Sequence, residues 1–333
     1  AGPAAEGPVA EGPAAEGEER RAKKPKWLPL ESNPEILNGF MERVGVAAGW
    51  AFADVLGLDP ELLAFVPQPT VAVCLLFPSR AIRKPRLEAL DGQQETRRAP
   101  PSTFYLIQHK EFGNACGTIA AVHAVANLAR VGCVRLAPDS PIERFFAKAE
   151  KMNPEEAGRA LADASDLHEA SEHAARSEKA QTKTPGRDDK VDGHFVVFVE
   201  VDGRVVELDG CMGFPIDHGA TSAAGLLQDA ARVIQTEFMA RAPGDPNFSV
   251  MALAPASGAG SSGGARPPGG GADPAYEGQV DSLVAMGFPR EQALEALQRA
   301  AGDADVAVGI LCGGASDGWS REGDARDTAM RKK

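Results

Sequence analysis

Cys116 is the cysteine whose neighbours suit a nucleophile. It follows Gly113-Asn114-Ala115 and opens the run Gly117-Thr118-Ile119-Ala120-Ala121-Val122, small and apolar residues that predict a helix. A thiol at that point faces unpaired backbone N–H groups and the positive end of the helix dipole, and both favour the thiolate. Ala115 and Gly117 leave room for a substrate backbone to approach. The other four thiols have blander settings: Cys74 within an apolar strand, Cys133 just past a helix, Cys211 beside a glycine, and Cys312 near the end of the last apolar segment. By type and place they are small packing residues.

A cysteine nucleophile needs a base, and the base needs an acceptor that orients it. Six histidines compete for the first role. His123 stands seven residues along the same helix as Cys116, roughly 10 Å away along its axis, and cannot reach the sulfur. His168 and His173 lie in a polar segment and are expected at the surface. His109 and His218 flank strand ends without further signal. His194 opens an apolar run that reaches Val201, followed by Asp202-Gly203 and the run Arg204–Asp209. Asp-Gly between two such runs predicts a hairpin with a two-residue turn. Val201 then pairs with Arg204, Val196 faces Asp209, and His194 faces Cys211. Alternate residues of a strand return to one face. His194 and Asp209 therefore become diagonal neighbours on one face, about 7 Å apart at Cα and within side-chain reach.

The elements that must carry these residues alternate between helix and strand. Asn33-Pro34 starts a helix whose apolar face is Ile36, Leu37, Phe40, Met41 and Val44, and Gly45 stops it. A short helix runs from Glu61 to about Val66. Val71–Phe77 and Thr103–Gln108 are expected strands, 115–131 a helix and Leu226–Met239 another. Mixed elements with an antiparallel hairpin predict an α+β fold. Residues 163–190 hold many charges and few large apolar side chains, which predicts a lid or an insert without regular structure.

Composition bounds the rest. The chain has 333 residues, with 35 Lys and Arg against 47 Asp and Glu, a net charge of −12. Such a chain repels phosphate backbones, so nucleic acid is not the expected partner and a basic surface is. Five cysteines are too few for a disulfide scaffold and point to a reducing compartment, cytoplasmic and also nuclear. No apolar run approaches the roughly 18 residues of a membrane span. No zinc-type cysteine spacing occurs, and no metal or other cofactor is expected. Gly and Pro gather at the N-terminus and at 255–275. This divides the chain into a tail (1–26), a large body (27–254), a flexible linker (255–275), a small body (276–314) and a second tail (315–333). Three short helices are expected in the small body, with Ala293, Leu294, Leu297, Val306, Ile310 and Leu311 as apolar positions.

The large body resembles the ubiquitin carboxyl-terminal hydrolases, papain-like cysteine proteases. The likeness lies in Trp27–Glu35, Asp59-Pro60-Glu61-Leu62-Leu63, Asn114-Ala115-Cys116-Gly117-Thr118-Ile119, His194-Phe195, Glu207-Leu208-Asp209-Gly210 and Phe214–Gly219. It implies an antiparallel sheet flanked by helices with a knotted chain path. It also implies Cys116 as nucleophile, His194 as base, Asp209 as its partner, and 163–190 as a loop over the active site that admits only small or unfolded groups. The implied substrate is ubiquitin, whose basic C-terminal tail suits an acidic enzyme, and the implied state is a monomer. The family's second oxyanion donor is a Gln six residues before the nucleophile. Here Lys110 stands there, and Gln108, two residues further upstream, is the expected donor with Lys110 as competitor. The added length is expected to loop out near Gly113. The small body is similar to a ubiquitin-associated domain, with Met286, Gly287, Phe288 and Leu311 as the implied contact. Two other readings stay open at this point: a catalytically silent ubiquitin adaptor, and the same chemistry on a ubiquitin-like protein.

Overall fold

The computed structural model describes residues 26–256, 276–286, 288–300 and 302–312. The expected N-terminal tail except Lys26, nearly all of the linker, the C-terminal tail and Gly287 lie outside the described residues. Helix α1 (Pro34–Val44) begins with the Asn33 side chain accepting from the Glu35 N–H and ends at Gly45 in the left-handed region, φ 98°. The chain continues through β1 (Trp50–Asp54), α2 (Pro60–Leu63), β2 (Ala72–Pro78) and α3 (Ser79–Leu90) to α4 (Cys116–Arg130). Then come α5 (Pro141–Ala149), α6 (Pro154–Asp163), α7 (Ser165–Ala175), β3 (Gly193–Val201), β4 (Arg204–Leu208), β5 (Ile216–Ala220), α8 (Leu226–Val233) and β6 (Ser249–Pro255). Among the described residues no helix is long and apolar enough to cross a membrane.

The six strands form one antiparallel sheet in the order β1-β6-β2-β3-β4-β5. Both faces are covered: β2 is apolar along its length, and β3 is apolar on both faces from Phe195 to Val199. Along β2 and β3, Ala72, Cys74, Val197 and Val199 pack with α1 and α4, while Val73, Leu75, Val196 and Phe198 pack with α8. Asp202 (φ 50°) and Gly203 (φ 74°) form the two-residue turn of the β3–β4 hairpin. Val201 pairs with Arg204 and Val197 with Leu208, the register expected from the sequence.

Three expectations for the large body need correction. Thr103–Gln108 is extended but joins no ladder. Asn127 of α4 holds both the N–H and the carbonyl of Phe104, at 2.8 and 2.9 Å, and His123 Nε2 accepts from the Leu106 N–H at 3.1 Å. Backbone carbonyls of Pro154 and Gly210 take the N–H groups of Ile107 and Gln108. The segment's hydrogen bonds go to side chains and loops, which leaves none for a neighbouring strand. Second, the polar segment 163–190 is not one loop. Its first part is α7, which packs on α1 through Leu167, Ala170, Ala174 and Ala175. A stripe of alanines buries a helix by close approach without large side chains. Third, His168 is half-buried rather than at the surface, while His173 is exposed as expected. His168 stands edge-on to Trp27 at 4.7 Å, and His173 Nε2 meets Arg43 at 2.9 Å.

The small body is α9 (Glu277–Ala285), α10 (Arg290–Arg299) and α11 (Ala304–Cys312), with Val280, Leu283, Ala293, Leu297 and Val308 inside. Phe288 also lies inside, at 4% exposure, so it is a core residue rather than the exposed contact expected. A bundle this small has few large apolar groups and buries those it has. Met286 and Leu311 are half-buried, and Val284 and Val306 are its exposed apolar side chains.

Candidate active site

Cys116 is the first residue of α4, and Ala115 before it offers no side-chain cap. The first-turn N–H groups therefore remain open toward the sulfur. Gly117 sits where an added Cβ would lie 3.1 Å from the Phe195 ring and 3.2 Å from Leu30, so a larger residue would push α4 and β3 apart by a few tenths of an ångström. That approach sets Cys116 beside the beginning of β3, where His194 lies. His194 Nε2 is 2.7 Å from Asp209 Oδ1, and both side chains are buried. The same carboxylate oxygen accepts from the Cys211 N–H at 2.8 Å. Phe77, the β2 partner of His194, stands edge-on to the imidazole at 5.5 Å. With Nε2 turned to Asp209, Nδ1 is the ring nitrogen left for Cys116.

The electrostatics follow from these contacts. Burial alone would push the Cys116 thiol up. The hydrogen bond and charge of His194, with a hydrogen bond from the Phe195 backbone, bring it below the usual thiol range. Burial likewise works against charge on His194, yet Asp209 and Cys116 hold the ring well above the usual imidazole range. Asp209 is buried too, but His194, the Cys211 N–H and Arg83 keep its carboxyl below the ordinary carboxylate value. The arrangement favours a thiolate beside an imidazolium. By contrast, Cys74 is buried in the sheet and its thiol is pushed far up, so it is unreactive.

Gln108 and Lys110 separate clearly. Gln108 is half-buried, its main-chain N–H donating to Gly210 at 2.7 Å and its Nε2 to the Gly113 carbonyl at 3.0 Å. Its Oε1 is buried without a partner among the described residues. Lys110 is exposed on a single helical turn, Lys110–Phe112, that ends at Gly113 with φ 71°. The chain thus turns outward at Lys110, while Gln108 is held with its amide against the Gly113 carbonyl.

Cys116 opens onto a cleft of about 570 Å³, walled by Leu30, Glu31, Asn114, Phe195 and Phe248. Residues 176–192, which follow α7, cross one side of it as a strap. Glu31 accepts from the Gln181 N–H at 2.9 Å and from Thr182 Oγ1 at 3.2 Å. Lys26 pairs with Asp188 at 2.7 Å, Arg187 with Glu172, and Asp192 accepts from the Arg80 N–H at 2.9 Å. The strap is tied down along its length.

Sequence reasoning passed over three residues that build this site. Tyr105 places its hydroxyl 2.5 Å from the Asp209 carbonyl and 2.7 Å from that of Met212, so it fixes the bend that carries Asp209. His123 and Asn127 fasten the Gln108 segment to the catalytic helix. Their one signal is polarity at i and i+4 in the middle of a largely apolar helix. His123 is buried and its pKa is pushed down to about 4, which suits a neutral ring that accepts from an N–H.

Residues 27–240 match the family described as ubiquitin carboxyl-terminal hydrolase, family 1. The chain belongs to the ubiquitin carboxyl-terminal hydrolase family. Within it, the chain is similar to ubiquitin carboxyl-terminal hydrolase isozyme L1 of Sus scrofa, 41% identical over 233 residues, which cover 69% of this chain and 98% of that protein. It is equally similar, at 41% over 222 residues, to a ubiquitin carboxyl-terminal hydrolase of Aplysia californica, covering 67% of this chain and 99% of that one. The fold is shared with the catalytic domain of Trichinella spiralis UCH37 bound to ubiquitin vinyl methyl ester, with a TM-score of 0.53 at 19% identity over 71% of this chain and 98% of that one. Residues 276–311 match the UBA/TS-N domain, an addition to the hydrolase body.

Proposed function

We propose that this hydrolase releases small or unfolded adducts from the C-terminal glycine of ubiquitin, with Cys116, His194 and Asp209 as its catalytic residues. The observation that carries the reading is the continuous line from Asp209 through His194 to the thiol at the start of α4. The Cys116 thiolate attacks the carbonyl carbon of the terminal glycine. Negative charge gathers on the carbonyl oxygen, met by the Cys116 backbone N–H and by Gln108 Nε2, which exchanges the Gly113 carbonyl for it. His194 gives its proton to the leaving amine and a thioester remains. Water then loses a proton to His194, attacks the thioester, and restores the thiol pair. Asp209 orients the ring throughout.

The strap limits what the leaving group can be, since a folded protein cannot pass beneath a segment held at Glu31, Lys26 and Asp192. The UBA-like bundle supplies a second hold on ubiquitin, and a hold joined by a linker raises the local concentration of substrate. Its contact surface is Met286 and Leu311 with the exposed Val284 and Val306. The test is release of a fluorophore from the ubiquitin C-terminus. Wild type turns over and Cys116→Ala does not, whereas turnover retained in Cys116→Ala would replace the mechanism with another.

A further inference from the structure

Cys211 is the thiol beside the reacting residues that hydrolysis leaves unused. It is half-buried, and its own N–H is bonded to Asp209 Oδ1 at 2.8 Å, which folds it back against the carboxylate. One ligand atom each from His194, Asp209 and Cys211 lie within 4.8 Å of one another. Nitrogen, carboxylate oxygen and thiolate form a donor set that suits zinc. With metal–ligand distances of about 2.0–2.3 Å, a tetrahedral site needs its donors about 3.3–3.6 Å apart. A small contraction of the cluster meets that requirement. All three donors sit on the β3–β4 hairpin and its exit, so the scaffold already holds them together. Arg83 is the neighbouring charge that opposes a cation, donating to the Cys211 carbonyl at 3.3 Å.

We propose that His194, Asp209 and Cys211 form an inhibitory site for a thiophilic divalent cation of the zinc type. The ion takes His194 Nε2 and the Asp209 oxygen that otherwise bond to each other; Nε2 releases to solvent the proton it shared with Asp209, and Cys211 releases its thiol proton to become the third ligand. With the metal on Nε2, Nδ1 keeps its proton, so the ring cannot take one from Cys116 or pass one to the leaving amine, and hydrolysis stops until the metal leaves. This inference rests on His194 being the base, and the experiment below separates the two ideas.

Full-length protein stripped with a chelator is titrated with zinc chloride while ubiquitin–fluorophore cleavage is followed. Each variant is normalised to its own metal-free rate. In wild type zinc should inhibit, and in Cys211→Ser and Cys211→Ala the zinc needed for half inhibition should rise at least about tenfold. In parallel, cobalt(II) is added to Cys116→Ala, which has no nucleophile. The sulfur-to-cobalt charge-transfer absorption should appear there and vanish in Cys116→Ala/Cys211→Ser. Equal zinc sensitivity in wild type and the Cys211 variants overturns the site, as does a cobalt–sulfur band that survives loss of Cys211. Metal bound at Cys211 without slowing of cleavage supports the site and counts instead against His194 as the base.

Discussion

His194 and Asp209 meet at 2.7 Å although neither belongs to a residue pair of the β3–β4 ladder. They are diagonal neighbours, brought to one face by a turn of two residues. Asp209 offers one oxygen to the imidazole and to the Cys211 N–H together, so its orientation is fixed from two sides. Asp209→Asn keeps the shape but lets the amide present an N–H to the ring. The expected loss in kcat is roughly 10²–10⁴-fold, with KM little changed. Steady-state kinetics on ubiquitin–fluorophore check it, and an unimpaired Asp209→Asn enzyme would remove Asp209 from the mechanism.

Gln108 and Lys110 are set apart by burial. Gln108→Ala should lower kcat by about 10²–10³ with KM nearly unchanged, and Lys110→Ala should stay close to wild type. If the effects are reversed, the second oxyanion donor is the lysine.

Glu31 ties the strap at Gln181 and Thr182. Glu31→Gln weakens a charge-assisted bond at an exposed site, a loss of about 1 kcal/mol or about fivefold in local opening. Amide exchange at Gln181 should speed up by about that factor while exchange in β3 is unchanged. Unaltered exchange at Gln181 would mean that the strap is held elsewhere.

Behind the site, Arg86, Glu207 and His218 form a buried ionic cluster, with Glu237 and Arg97 at its rim. Arg86→Met leaves the Glu207 carboxylate without its guanidinium and should cost about 3–5 kcal/mol in urea denaturation. His218 adds a pH dependence. Burial opposes its charge, but Glu207 and Glu237 outweigh burial and raise it above the usual imidazole range. The folded protein therefore holds this proton more tightly than the unfolded chain. Its contribution is whole below about pH 6.5 and fades as pH rises through the folded value. Stability should fall as pH rises above about 6.5 more steeply in wild type than in His218→Gln, and parallel curves would contradict the assignment.

Local rules made some of these features legible and left others hidden. The hairpin could be read because Asp202-Gly203 fixes the turn at two residues, and every later pairing follows by counting. Cys116 could be read because small residues mark the start of a helix that must be approached closely. The state of Thr103–Gln108 could not, because its apolar pattern fits a strand while its backbone is bonded to Asn127, His123, Pro154 and Gly210, partners that only the tertiary fold brings near. α7 was hidden for a different reason: alanine buries a helix without a large apolar stripe. Phe288 shows the reverse error, since a residue in a loop can still point into the core.

The central claim is that Cys116, and no other thiol of this chain, receives the ubiquitin carboxyl end. Ubiquitin carrying a C-terminal electrophile should add once to the full-length protein, and peptide mapping should place the adduct on Cys116. Cys116→Ala should form none. An adduct on Cys211 or on any other cysteine, or capture undiminished in Cys116→Ala, would contradict the account.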